Sequence, residues 1–159
     1  MSEEGRDRQR FARDLFVRRG LAVLAGAVFV YAGIVKVADP MRFASDINNY
    51  QIIPWSIGVR LAFYLPWLEI LCGLALITRR LYSGALSILL GLMLIFIGAT
   101  IVAKARGIDI TCGCFGAASN NLGFVGHLAL DLALLAALIA LWSLSCAWNV
   151  GVRTQSRGP

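Results

Sequence analysis

The chain has 159 residues, 58% of them hydrophobic and 15% charged, and its mean hydropathy is +0.73. That balance excludes a soluble globular domain, whose water-facing surface needs more polar side chains, and it places the chain among integral membrane proteins. The formal net charge of +6 does not point to nucleic acid, because the basic residues gather beside apolar runs, where they report orientation.

A spanning helix needs roughly 20 mainly apolar residues to cross hydrocarbon about 30 Å thick, and four such stretches are present. They predict an all-α, four-helix transmembrane bundle over residues 20–144, between a basic segment at 1–19 and a tail at 145–159. In Met1–Arg19 acid and base alternate, and Phe11, Leu15 and Phe16 suit an interfacial helix leading into the membrane; a frayed tail is the alternative. The first span, Gly20–Val37, carries Gly26 and Gly33 one heptad apart, a pattern that allows close helix approach. A cleavable signal peptide is disfavoured for this run because Tyr31 and Lys36 follow without a convincing Ala-x-Ala site.

In the first loop, Asp39-Pro40 is a helix-start signal, and Phe43, Ile47 and Tyr50 recur at helical spacing. Met41–Tyr50 is therefore expected to form a short amphipathic helix. The second span, Arg60–Ile77, has Pro66 in its first turns, where a kink is expected. Trp55, Tyr64 and Trp67 fit an aromatic belt at one interface, and Tyr82 fits the other. The third span, Leu81–Ala103, repeats glycine at Gly84, Gly91 and Gly98, which predicts a second packing seam. The fourth span is Leu122–Leu144.

Of the 15 Lys and Arg residues, six between Arg6 and Arg19, the pair Arg79-Arg80, and Arg153 and Arg157 flank one side. Lys36, Arg42, Arg60, Lys104 and Arg106 flank the other. The positive-inside rule then puts both termini in the cytoplasm and the two longer loops outside a cytoplasmic membrane.

The second of those loops holds Thr111-Cys112-Gly113-Cys114-Phe115-Gly116. Thiols outside the cytoplasm meet oxidising conditions, and a ring closed across a single glycine departs from relaxed disulfide geometry, which favours exchange. Cys112 and Cys114 are thus the candidate catalytic pair. A loop-closing disulfide without turnover is the alternative. Metal binding is the weaker reading, since the pair offers only two soft ligands, enough for Cu(I) at most. Cys72 and Cys146 read as small packing residues.

Ionisable residues inside apolar spans are costly and usually face the bundle interior. Glu69 lies in the second span, and His127 and Asp131 stand four apart in the fourth. They are candidates for a proton path or for the wall of a quinone site, with His127 the natural carrier because imidazole titrates near neutral pH. The plainer alternative has Glu69 and Asp131 hydrogen-bonding neighbouring helices. Lys36, ending the first span, reads as a structural polar anchor that snorkels outward.

Several of these residues together resemble a known family. The run Tyr31-Ala32-Gly33-Ile34-Val35-Lys36 is followed by Asp39-Pro40, Phe43, Ile47 and Tyr50 through Pro54. Then come Pro66-Trp67-Leu68-Glu69 with Gly73, and the Cys112-Gly113-Cys114-Phe115-Gly116 block. Between about Tyr31 and Leu135 the chain is similar to the DoxX-like membrane proteins, most of all the MauE branch. The resemblance implies a four-helix membrane bundle linked to redox work, often beside thioredoxin-like proteins, and a role in making methylamine dehydrogenase, whose small subunit is rich in disulfides. The family often has Arg-Asp or Arg-Asn in the last span, whereas Leu130 precedes Asp131 here, a departure that speaks against an Arg-dependent role for that helix.

The expected function is thiol-disulfide exchange during oxidative maturation of periplasmic redox proteins, with a periplasmic thioredoxin-like partner. The competing expectation is a non-catalytic subunit or assembly factor of a larger membrane redox complex. A quinone is compatible with the sequence and no cofactor is required by it.

Overall fold

The computed structural model describes residues 3–107 and 124–155. Among these the elements are α1 (Glu3–Ala38), α2 (Pro40–Asn49), α3 (Trp55–Thr78), α4 (Tyr82–Ala105) and α5 (Phe124–Gln155). Four hold runs apolar enough to cross a membrane, Leu15–Ala38, Trp55–Thr78, Tyr82–Ala105 and Leu128–Ser145, of 24, 24, 24 and 18 residues. At 1.5 Å per residue these reach about 27–36 Å, matching the hydrocarbon. The predicted four-span bundle with a short helix in its first loop is the observed architecture. The basic N-terminal stretch and the first span form one unbroken helix.

Lipid is as apolar as a leucine side chain, so spanning helices associate through close contact rather than through water exclusion. The glycines of α1 provide that contact. A Cβ on Gly26 would lie 2.7 Å from the Gly73 carbonyl oxygen, one on Gly73 would lie 2.7 Å from the Gly26 carbonyl oxygen, and one on Gly33 would lie 2.8 Å from that of Pro66. The antiparallel pair α1–α3 is thus packed backbone to backbone. Pro66 is accommodated inside α3, which continues through it to Thr78.

The second predicted seam is not found. Among the described residues, Cβ atoms on Gly84, Gly91 and Gly98 would meet nothing within 4 Å. The reason is rotational: α4 buries Ala85, Leu89, Met93, Thr100 and their neighbours, the arc opposite the glycines. The core joins Ala22, Ala25 and Phe29 of α1, Cys72 and Leu76 of α3, the buried arc of α4, and Leu138 and Leu141 of α5. Cys72 is a packing residue, as expected.

Helix α2 starts where the sequence signals it. The Asp39 carboxylate accepts a hydrogen bond from the Arg42 backbone N–H at 3.0 Å, and Pro40 occupies the first turn, where a missing N–H does no harm. Its apolar face, Phe43 and Ala44, packs with Ala62 of α3 and half-buried Ile47, Val59, Leu65 and Phe96. Asp39→Ala is expected to destabilise α2 by about 1 kcal/mol, and Asp39→Asn much less; amide hydrogen exchange over Met41–Tyr50 measures both.

At the other end of the bundle, α3 passes to α4 through Arg79 and Leu81, both left-handed, with φ of 59° and 55°. Trp55, Tyr64 and Trp67 are exposed on α3, as belt residues must be.

Candidate functional site

Lys36 occupies the last turn of α1. An ammonium here would ordinarily reach for water, yet it is 4% exposed and donates to both oxygens of Glu69, 2% exposed, at 2.7 and 2.9 Å. The outward-snorkelling reading is therefore corrected. Helix α2 packs against the end of α1, and the buried Phe43 stands against the ammonium. The Phe43 ring centre stands 5.0 Å from the ammonium and that of Phe96, from α4, 4.8 Å. The two rings are tilted neighbours with centroids 6.4 Å apart.

These contacts make chemical sense together. An ammonium has three donors and Glu69 takes two directions of approach, while the negative faces of two aromatic rings attract the remaining charge. A charged pair away from water gains strong mutual attraction but loses hydration, so its net contribution to stability is small even though loss of either partner is severe.

The fifth helix completes the site. Asp131 is 3% exposed and lines the same cavity as Lys36, Glu69, Phe29, Met93 and Phe96. Its volume is about 20 Å³, and apart from the three ionisable groups its lining is apolar, so it has room for about one water molecule. Every helix of the described residues thus sends a side chain to one point: Lys36 from α1, Phe43 from α2, Glu69 from α3, Phe96 from α4 and Asp131 from α5. One turn past Phe96, the buried Thr100 hydroxyl donates to the Phe96 carbonyl at 2.9 Å.

Of the residues singled out in the sequence, Lys36, Glu69 and Asp131 are brought together. The backbone of His127 lies on α5 one turn before Asp131, while its side chain lies outside the described residues, as do Cys112 and Cys114. The aromatic walls escaped sequence reasoning. Phe43 carried a signal, its place on the apolar face of α2, but that pattern does not say a cation lies beneath it. Phe96 stands in a uniformly apolar run and gives none.

Comparison with known proteins now adds the lineage. The family model described as methylamine utilisation protein MauE matches residues 15–144. The chain belongs to the MauE family. All five residues that meet in the buried site fall within the matched region, as do Cys112 and Cys114. A MauE protein, the methylamine utilization protein MauE of Methylophilus methylotrophus, is 31% identical over 94 residues, which cover 58% of this chain and 50% of that relative. The chain therefore spans about half the length of this MauE relative. No solved structure matches it.

Proposed function

We propose that this MauE-family protein serves methylamine utilisation as a redox-associated membrane component, in which Cys112 and Cys114 exchange disulfides during oxidative maturation of periplasmic redox proteins. The observation that carries the reading is the buried Lys36–Glu69 pair with Asp131 beside it. Charged groups held deep in a small membrane bundle, at a point reached by all its helices, are arranged for function more readily than for stability. In this reading Glu69, Asp131 and His127 pass protons, or form the polar wall of a quinone site once helices part, while Lys36 fixes Glu69. The topology that goes with it puts both termini in the cytoplasm and the cysteine loop in the periplasm, facing a thioredoxin-like partner. Kinship with the wider DoxX-like proteins belongs to the same reading.

Thiol exchange at the pair is a two-electron step. A client dithiol attacks the Cys112–Cys114 disulfide, the client becomes oxidised to its disulfide, and both cysteines leave as thiols with the client's two protons. The double variant Cys112→Ser, Cys114→Ser is expected to abolish oxidative maturation, read as the disulfide content of the client, while leaving the amount of protein in the membrane unchanged. Full maturation by this variant overturns the thiol reading.

A second reading, a non-catalytic subunit or assembly factor of a larger redox complex, is favoured by the open glycine face of α4. Among the described residues nothing fills the line of Gly84, Gly91 and Gly98, which permits close approach by a foreign helix. That reading predicts co-purification with membrane partners and tolerance of cysteine loss.

A further inference from the structure

The end of the bundle that carries the α3–α4 turn holds an arginine cluster that the buried polar site does not use. Arg18 of α1 is half-buried, and the antiparallel register that sets Gly26 against Gly73 and Gly33 against Pro66 brings it level with the α3–α4 turn that carries Arg79 and Tyr82. The Arg79 guanidinium lies 5.9 Å from the Tyr82 ring centre. Arg19 and Arg80 are exposed beside them. Guanidinium groups gathered at one end of the bundle repel each other, and an anion placed among them relieves that repulsion.

Directly inward lies an apolar groove of about 320 Å³ between α1 and α5. Leu21, Ala25 and Val28 line it from α1, and Leu130, Ala133 and Ala137 from α5. Arg18, Leu21 and Ala25 follow at i, i+3 and i+7, so the arginine stands on the groove's own helix face. The groove runs on the order of 10 Å along α1, and Arg18 precedes its first residue by about 5 Å. That offset matches the glycerol ester linkage between a phosphate and the start of an acyl chain.

We propose that this groove and the Arg18–Arg79 pair form a binding site for one anionic phospholipid, its chain laid between α1 and α5 and its phosphate between the two guanidinium groups. The charge complementarity is specific in kind. Arginine's planar fork suits phosphate oxygens, and a zwitterionic head group would bring its own cation towards an already positive site. The continuous apolar groove argues for a lipid rather than a soluble anion, which would leave it unfilled.

The test uses the full chain in detergent, with phosphatidylglycerol and phosphatidylcholine of identical chains as competing probes and retained lipid counted by native mass spectrometry. The wild type is expected to retain about one phosphatidylglycerol with at least tenfold preference. Arg18→Gln with Arg79→Gln brings the preference to parity, whereas the Arg18→Lys, Arg79→Lys variant keeps most of it. Ala133→Phe, which fills the groove, lowers retention without touching an arginine. Parity in the wild type overturns the proposal, as does undiminished preference in the glutamine variant. Displacement of the lipid by millimolar inorganic phosphate also overturns it, because the arginines would then hold a free anion. Should the glutamine variant fail to fold, the Ala133→Phe arm decides, and unchanged retention there refutes the site.

Discussion

Lys36→Met is expected to destabilise the folded bundle by about 3–5 kcal/mol, and Glu69→Met by a similar amount, while the double variant Lys36→Met, Glu69→Met stays within about 1 kcal/mol of the wild type or exceeds it. The asymmetry follows from where the pair sits. Each single change strands one charge among Phe29, Phe43, Met93 and Phe96, and a stranded charge in an apolar site has no replacement for water. The double change removes both members of the ion pair and leaves two flexible apolar side chains among the aromatic and aliphatic walls, with the Asp131 carboxylate still beside them. A double-mutant cycle from unfolding in mixed micelles measures the coupling. Single variants that each lose less than about 1 kcal/mol would show that water reaches the pair.

Gly73→Val is the second large effect, expected at about 3 kcal/mol or more, because a Cβ at this position meets the Gly26 carbonyl oxygen at 2.7 Å and the Val30 side chain at 2.9 Å. A side chain can rotate out of such a contact; a helix backbone cannot, so α1 and α3 must separate. The paired change Gly91→Ala, Gly98→Ala on α4 is expected to stay within about 0.5 kcal/mol, since those positions face open space. Both are read from the same micelle unfolding curves. Equal effects at the two stripes would contradict the helix rotations.

The difference between those stripes shows where sequence reasoning reaches its limit. A glycine repeat every seven residues declares that one helix face is smooth, and it carries no information about what lies opposite. Gly26 and Gly33 meet a partner; among the described residues Gly84, Gly91 and Gly98 meet none. The spans themselves were legible because lipid imposes a long apolar run on each of them, and α2 was legible because Asp39, Pro40 and the spacing of Phe43, Ile47 and Tyr50 are local signals.

The polar site was legible in its members and not in its pairing. Glu69 and Asp131 stand out in any apolar span. Lys36 looked like an interfacial residue because hydropathy places it at the end of its span, two residues before α1 stops at Ala38. Its burial depends on α2 folding back over that end and on Phe96 arriving from α4, contacts made across long sequence separations. Depth in the membrane is thus not burial in the bundle, and a short helix laid over the end of a span can convert a surface cation into an enclosed one.

The most direct test of the claim that this enclosed pair is a working site, and not merely a packing device, is the activity of the folded double variant Lys36→Met, Glu69→Met. The measurement is restoration of growth on methylamine in a host deleted for its own copy, with membrane level and micelle stability of the variant recorded alongside. Wild-type level and stability with loss of growth is the predicted result. Full restoration by a double variant that folds as well as the wild type would contradict it.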